Sequence, residues 1–140
     1  MLIYKLFLIL CPLFLPLAAG AVDTARVCCK DACVQAEIAR SEGERARGLM
    51  FRETLGPAEG MFFVFDQQLR HSFWMKNMNF PLDLIWINQD KVIVDITRDA
   101  QPCAGSCESL APVDAAKYVL EVNAGFALKN NIQTGDRIDF

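Results

Sequence analysis

The chain has 140 residues, with 14 lysines and arginines against 17 aspartates and glutamates, and a formal net charge of −3. This length suits a single domain that can bury a core of its own. The basic side chains are scattered and form no stripe along the sequence, so we expect no nucleic-acid partner.

Residues 1–21 are typical of a secretory signal peptide. Lys5 precedes a short apolar run over residues 6–17, and small residues follow the run. A transmembrane helix needs about 20 apolar residues, whereas this run is shorter and contains two prolines, which disturb helices. We therefore expect export to the periplasm or the outside, with cleavage after Ala19 or Ala21. The membrane is then a partner only during export.

After the signal peptide, residues 22–32 are expected to form an N-terminal leader segment, and residues 33–140 a single β-rich domain. The domain begins with residues 34–39, where apolar and polar side chains alternate as in a half-buried strand. No internal repeat or linker divides the rest of the chain. One domain is therefore the prediction.

A helix is predicted next. Ser41 and Glu44 form a capping-box signature, in which each residue satisfies a backbone donor at the start of the helix. Apolar residues then fall on one helical face, which predicts a short helix over residues 42–51 that packs on the sheet. Glycine and proline residues end it in a loop at positions 56–60.

Strands dominate the remainder. The unbroken apolar run at residues 61–65 predicts a strand buried on both faces. The turn at residues 88–90 predicts a hairpin between the strands on either side of it. A long loop is expected over residues 99–116, and one helical turn over residues 124–129. The other predicted strands are residues 71–77, 82–87, 92–97, 118–122 and 137–140.

These elements predict a mainly β fold: a small antiparallel β-barrel or sandwich of about seven strands with one short packed helix. The alternative is an α/β sheet of parallel strands. Parallel neighbours need long crossovers, which are usually helices, and the sequence predicts too few helices for them. We therefore favour the all-β architecture.

Several ordered motifs are similar to those of a bacterial and archaeal family known as domain of unknown function 192. The similarity extends from Val34 to the C-terminus. The segments that carry it are Arg47 to Arg52 (RGLMFR), Gly60 to Phe65 (GMFFVF), Ser72 to Asn77 (SFWMKN), Pro81 to Asp83 (PLD), Tyr118 to Val122 (YVLEV) with Gly125, and Gly135-Asp136.

This resemblance implies a small, often exported protein with a compact β-rich fold that carries a helix. The family brings no reaction, substrate or catalytic residue to carry over. The sequence departs from the usual pattern at Met78, where threonine is common, and at Trp86, where phenylalanine is common. The cluster of Cys28, Cys29 and Cys33 is particular to this member, so a family-wide role for its thiols is doubtful.

The segment from His71 to Met78 is the first candidate for a binding site. In a strand its large apolar and isolated polar side chains would alternate on both faces, which suits a core that opens into a polar pocket. Trp74 would provide a stacking wall, and basic and amide groups would bind a small polar or anionic ligand. The candidate ligand-binding residues are Arg47, Arg52, Trp74, Lys76, Asn77 and Asp83.

A structural interpretation of the same residues stays open. Lys76 could pair with Asp83 or Glu121, and Asn77 could brace the turn before Pro81. Mutation of Lys76 to methionine separates the two interpretations, since only a structural role predicts a loss of stability with no effect on a ligand.

Five cysteines follow the signal peptide, and an exported protein tends to pair them. Any four of them can pair in three ways, so the sequence leaves the connectivity open. A bridge within the long loop, or one that ties this loop to the N-terminal segment, would staple the fold. A redox role is less well supported, because no thioredoxin-like pattern surrounds these residues. The candidates are Cys28, Cys29, Cys33, Cys103 and Cys107.

We expect no metal and no other cofactor. Sulfur ligands suit Cu(I), and four methionines and one histidine follow the signal peptide. Methionines on apolar faces, however, usually fill space in a core. The residues weighed for copper are Met50, Met61, Met75, Met78 and His71.

The sequence therefore predicts a non-catalytic binding or accessory protein of the cell envelope. One alternative is an enzyme that acts on an envelope substrate with Lys76, Asp83 or Glu121 as acid–base groups. Another is a disulfide-stapled structural or partner-binding protein whose exposed cysteine forms a disulfide with a partner protein. Hydrolase motifs such as Gly-x-Ser-x-Gly are missing from the sequence. The oligomeric state is not predictable from these patterns.

Overall fold

The computed structural model of the protein describes residues 21–140, so the expected signal peptide lies outside the described residues up to position 20. Among these described residues, seven strands form one sheet, and two short helices accompany it. This confirms the predicted mainly β fold of seven strands. The elements in chain order are β1 (Thr24–Cys29), β2 (Ala32–Ala39), α1 (Glu42–Arg47), β3 (Glu59–Leu69), β4 (Leu82–Ile87), β5 (Ile93–Ala100), β6 (Ala116–Asn123), α2 (Phe126–Lys129) and β7 (Ile138–Asp139).

The strands lie in the order β5-β4-β6-β3-β2-β1-β7. The predicted hairpin is confirmed, since β4 and β5 pair antiparallel. The sheet is mixed rather than wholly antiparallel, because β2 and β3 run parallel. The connection between these two strands contains α1, and a parallel pair requires a crossover of this kind. One helix therefore suffices for one parallel pair.

The first predicted helix is present but shorter than expected. The Ser41 side chain accepts from the Glu44 backbone N–H, and the Glu44 carboxylate accepts from the Ser41 backbone N–H, so the predicted capping box is formed. The helix ends at Arg47 because Gly48 has a φ of 49°, a left-handed value that favours glycine. The prediction of a helix as far as residue 51 was therefore wrong.

The prediction of a strand over residues 71–77 was also wrong. The segment makes only isolated bridges, from Phe73 to Leu110 and from Lys76 to Cys103. The strands before and after it in the chain, β3 and β4, are each already paired on both sides, so it cannot pair with either. Residues 72–78 instead cross one face of the sheet.

Residues 24–29, which the sequence analysis placed in a leader segment, form β1 and pair along its whole length with β2. Val27 is buried in the core at 1% exposure. This stretch is therefore part of the sheet and of the folded domain.

Two hydrophobic cores lie on opposite faces of the sheet, because successive side chains of a strand point to opposite faces. In β3, for example, Phe62 belongs to the first core, and Met61 and Phe63 belong to the second. The first core lies inside the curl and includes Val27, Val34, Phe62, Ile85, Ile87, Leu120, Val122 and Ile138. The second includes Leu49, Met61, Phe63, Met75, Leu82, Leu84, Trp86 and Val119.

The sheet curls so that its two edge regions meet at one end. An antiparallel bridge joins Val92, next to β5, to Arg137, next to β7. The backbone N–H of Ile93 donates to Asp136 O at 2.9 Å, and that of Ile138 donates to Lys91 O at 2.9 Å. The curl therefore encloses the first core.

Within residues 21–140, neither helix has the length and the apolar character that crossing a membrane would need.

Candidate functional site

A pocket of about 320 Å³ opens on the second face of the sheet. The residues around the end of α1 form one wall, and the crossing segment of residues 72–78 forms the other. Its size is at the lower end of the range for small-molecule sites, about 300–1,000 Å³. The apolar lining consists of Ala46, Gly48, Leu49, Met50, Phe63, Phe65, Phe73, Trp74 and Met78, and the polar lining of Glu42, Arg45, Arg47, Ser72 and Glu121.

Glu121 lies on the sheet at the floor of this pocket. Its β6 backbone places it between Met61 of β3 and Leu84 of β4, on the same face as Val119. The residue is only 6% exposed, and within residues 21–140 its side chain receives no hydrogen bond; its carboxyl oxygens are open to the pocket. Burial alone raises the pKa of Glu121 to about 8. Burial therefore favours the protonated form of this carboxyl group at neutral pH.

Three charged side chains line the mouth of the pocket. The Arg45 guanidinium donates to the backbone oxygens of Arg40 and Val64 and stacks over Phe65, with Cζ 5.1 Å from the ring centroid. Arg45 is thus fixed in place. Arg47 and Glu42 are exposed, and neither forms an ion pair within the described part of the chain. Arg47 is therefore available to a ligand.

Trp74 lies at the rim and is 52% exposed. The Lys76 ammonium covers its ring, with Nζ 5.4 Å from the ring centroid. Next to it, Phe73 is anchored: its backbone N–H donates to Leu110 O at 2.8 Å, and its ring packs edge-on against Phe63 at 5.0 Å. The exposed tryptophan thus stands on a well-anchored segment.

Of the six candidate ligand-binding residues, the structure brings Arg47 and Trp74 to the pocket, and the other four lie elsewhere. Arg52 forms a bidentate ion pair with Glu37, with both nitrogen–oxygen distances 2.6 Å. This pair raises the pKa of Arg52 and lowers that of Glu37. Asn77 is exposed, has a φ of 60°, and accepts at its backbone oxygen from the Phe51 N–H.

Asp83 has a structural role on the first face of the sheet. Its carboxylate accepts from the backbone N–H groups of Asp99 and Ala127, each at 2.9 Å, and so ties β5 and α2 to β4. Asp83 and Glu121 point to opposite faces, so they do not form a carboxylate pair. Among residues 21–140, Lys76 forms no ion pair with either acid.

Two disulfides are formed, Cys28–Cys33 and Cys103–Cys107. The first joins directly opposite residues of β1 and β2. The second closes a turn within the long loop, which is one of the arrangements left open by the sequence. Cys29 is free but only 4% exposed. Residues 21–140 therefore offer no exposed thiol to a partner.

The methionines weighed for copper lie in or against the second core or line the pocket. Met61 and Met75 are buried in the second core, at 6% and 4% exposure. His71 stacks on Phe65 with ring centroids 3.6 Å apart, and its Nε2 lies 3.0 Å from Gln67 O. In the described part of the chain, no three histidine, cysteine or acidic side chains lie close enough to hold a metal ion.

Sequence reasoning considered Glu121 only as a partner of Lys76 or as an acid–base group, and it missed the apolar walls of the pocket. A signal for Glu121 was present. It interrupts the apolar run of β6 at a position whose period-2 neighbour, Val119, faces the core. The walls left no such signal, since core residues and pocket residues have the same composition.

Comparison with known proteins agrees with the resemblance noted in the sequence. A UPF0127 protein of Pyrococcus abyssi is 28% identical over 109 residues, which cover 74% of this chain and 84% of that protein.

Two solved structures share the fold, and each is 31% identical to this chain. A Novosphingobium aromaticivorans protein of unknown function has a TM-score of 0.80, with 88% of this chain and 89% of that one covered. A Sinorhizobium meliloti protein, described as a candidate transcription regulator, has a TM-score of 0.77, with 85% and 95% covered. The sequence profile of the DUF192 family, described as "Uncharacterized ACR", matches residues 25–140, and this chain belongs to that family.

Proposed function

We propose that this chain is an exported, non-catalytic binding protein whose pocket holds a small organic ligand. The observation that carries the proposal is the Glu121 carboxyl group, which lies at the floor of a mainly apolar pocket without a hydrogen-bond donor among residues 21–140. Burying an unpaired carboxyl group costs free energy, and a ligand that hydrogen-bonds to it offsets that cost. Buried groups with shifted pKa values concentrate at functional sites.

Binding without turnover fits the polar lining of the pocket. Covalent catalysis requires a nucleophile with an adjacent base. The Ser72 hydroxyl contacts the Ser109 hydroxyl rather than a base, and Asp83 points to the opposite face of the sheet. The described residues of the pocket therefore supply no activated nucleophile.

Native mass spectrometry of the protein, purified from the exported fraction without reductant, tests the binding proposal. We expect extra mass that denaturation removes. Ala46→Phe should abolish it, because Ala46 is an exposed residue of α1 that lines the pocket. Gly43→Phe is the matched control, since a Cβ on Gly43 meets nothing within 4 Å and this residue is not part of the lining. A bare wild-type chain, or equal loss in both variants, would contradict the proposal.

The second candidate is an enzyme on a cell-envelope substrate in which Glu121 donates a proton. The observation in its favour is the pKa of Glu121, about 8, because a general acid works best when its pKa lies near the working pH. In that case Glu121→Gln would bind substrate but form no product. For a binding protein, the ligand is recovered unchanged after incubation with the wild type.

Export is supported by the two cysteine pairs at disulfide distance, since disulfides persist mainly in oxidising compartments. It is also supported by the signal-like residues 1–21. N-terminal sequencing of the protein from fractionated cells should find a start at Gly20 or Val22. A cytoplasmic protein that retains Lys5 and has reduced thiols would contradict the proposed export.

We propose no nucleic-acid partner, although the Sinorhizobium meliloti relative is described as a candidate transcription regulator. Duplex binding depends on basic side chains that neutralise phosphates. This chain has a formal net charge of −3, and only Arg45 and Arg47 lie together at the pocket mouth. Gel-shift experiments with random duplex DNA at low salt should detect no complex.

A further inference from the structure

We infer that the ligand is a small organic anion with an apolar body, which presents a hydrogen-bond acceptor to the Glu121 carboxyl group and meets the Arg47 guanidinium. This inference rests on the proposed binding function and names the chemical class of its ligand. It follows from three features of the pocket: the surroundings of its floor, the charge at its mouth and the composition of its walls.

The floor offers a hydrogen-bond donor rather than a negative charge. The neighbours of Glu121 across the sheet, Met61 and Leu84, are apolar, and among residues 21–140 no cation offsets the burial that raises its pKa. A protonated carboxyl group has one O–H to donate. A carbonyl or carboxylate oxygen of a ligand would accept this hydrogen bond without adding a buried positive charge.

The charged groups around the pocket favour an anion. On α1, Arg45 and Arg47 outnumber Glu42 at the mouth. β3 contributes only the uncharged Phe63 and Phe65 to the lining. On the crossing segment the nearest charge is Lys76, which lies over the outer Trp74 ring. His71 precedes this segment and is held against Phe65.

Arg47 is the mouth residue best able to bind the anion. Arg45 is already engaged with two backbone oxygens, whereas Arg47 is exposed and without a partner among residues 21–140. A guanidinium can bind a carboxylate through two parallel hydrogen bonds. The exposed Trp74 at the rim and the aromatic walls would pack against the apolar body of the ligand.

A ligand with an amine group could instead meet Glu121 as a cation that pairs with the ionised carboxylate. The pocket disfavours such a ligand. The ammonium group would have to pass two guanidinium groups at the mouth. It would then form a buried ion pair with Glu121, and the desolvation of both charges can exceed their attraction. The two ligand classes make opposite predictions for pH, because the first needs protonated Glu121 and the second needs the carboxylate.

The test uses 4-phenylbutyrate, 4-phenylbutylamine and neutral 4-phenylbutanamide, which share one apolar body. Dissociation constants are measured by calorimetry at about pH 6.5 and about pH 9.5, on either side of the Glu121 pKa of about 8. We expect the carboxylate to bind about tenfold more tightly than the amine at the lower pH, and to lose about thirtyfold in affinity at the higher pH, where a group with a pKa of about 8 is only about 3% protonated.

Two variants assign the effects to residues. Glu121→Gln keeps a neutral donor, so it should retain carboxylate binding at the lower pH and bind equally well at the higher pH. Arg47→Gln should weaken carboxylate binding about tenfold and leave the amide unchanged. Thermal unfolding of both variants establishes that they are folded.

The results that overturn the inference differ from those that overturn the proposed function. Tighter binding of the amine, with proton release and loss of binding in Glu121→Gln, would overturn the ligand class alone, provided that Ala46→Phe blocks this binding. Equal affinity for amine and carboxylate would do the same. If no probe binds, or if Ala46→Phe leaves binding intact, both the inference and the proposed function fail.

Discussion

At the scale of single residues, the pocket depends on one carboxyl group in an apolar strand. Leu120 and Val122 of β6 are at most 2% exposed and pack in the first core, while Val119 packs in the second. An apolar side chain at position 121 would extend the second core without the desolvation that a carboxyl group requires. Glu121 is therefore expected to destabilise the empty protein, and this cost depends on pH.

Glu121→Gln should stabilise the protein relative to the wild type, increasingly as pH rises from about 4.5 to about 8. The pKa of Glu121 is raised from 4.5 to about 8 on folding, so between these values the folded state binds one more proton than the unfolded state. The wild type therefore loses stability as pH rises through this window. The upper bound is about 5 kcal/mol, from about 1.36 kcal/mol per pKa unit.

Urea unfolding at several pH values measures this difference. Glu37→Gln is a useful comparison, because the pKa of Glu37 is lowered by its ion pair with Arg52. The stability that this pair contributes is present above the ordinary pKa of glutamate and lost as pH falls through the lowered value. The difference in unfolding free energy between Glu37→Gln and the wild type should therefore shrink towards acid pH. A Glu121→Gln difference that does not change with pH would contradict the assigned environment.

At the scale of elements, the sequence predicted those whose signals are local. Alternation marked β2, the apolar run marked the buried part of β3, and the turn between β4 and β5 marked their hairpin. The capping box of Ser41 and Glu44 marked the start of α1. The end of α1 was missed, because Met50 has the apolar spacing of a helix although Gly48 has already left helical geometry.

The strand predicted over residues 71–77 failed for a reason that lies outside the segment. Its composition suits a strand, but a strand needs a free edge to pair with, and its chain neighbours β3 and β4 are each paired on both sides. The same limit applies to the site. Arg52 and Asp83 have suitable chemistry for a ligand, but Glu37 and the backbone at Asp99 occupy them. Such partners are set by the tertiary fold.

Ser41→Ala should lower the free energy of unfolding by about 1 kcal/mol, the usual cost of losing a helix N-cap. The Ser41 hydroxyl accepts from the Glu44 N–H at 3.2 Å, and alanine leaves this first-turn donor without its capping partner. Urea unfolding measures the change, and Ser41→Asp is the control that should restore the cap. If alanine and aspartate are equally stable, the cap contributes nothing.

The disulfide of the long loop also belongs to this scale. Replacing both Cys103 and Cys107 with serine should lower stability by about 2 kcal/mol, as expected for a very short closed loop. The Cys28–Cys33 bridge remains as an internal control.

Peptide mapping without reductant should recover both bridges, and native Cys29 should resist iodoacetamide, because burial raises the pKa of its thiol and hides it. Peptides in which these cysteines are joined to other partners would contradict the two disulfide pairs.

At the scale of the whole molecule, the unbroken apolar run at residues 61–65 predicted a strand covered on both faces, but not how the strands of the sheet are arranged. The parallel pair of β2 and β3 depends on α1 acting as a crossover. The curl depends on contacts between residues far apart in sequence, such as Val92 with Arg137. Neither arrangement has a local signature, so a sequence pattern could suggest a barrel or sandwich but could not choose between them.

The C-terminal residue holds this curl closed, which leads to a prediction for Phe140. Its ring lies 4.6 Å from that of Phe62 and 5.0 Å from that of Tyr118, and the Lys91 ammonium stands over it at 4.1 Å. Phe140 is 40% exposed, so Phe140→Ala should cost about 1–2 kcal/mol, below the 3–5 kcal/mol of a fully buried phenylalanine.

Hydrogen exchange should then locate the loss. In Phe140→Ala we expect faster exchange at Ile93 and Ile138, whose backbone N–H groups form the bonds that join the two edge regions, because these bonds open when the end of the chain detaches. Amides of β3 and β6 in the middle of the sheet should keep their protection. Phe51→Ala is the matched control, since Phe51 is 66% exposed and should change stability by less than about 0.5 kcal/mol. Equal destabilisation by the two substitutions would mean that Phe140 does not close the curl.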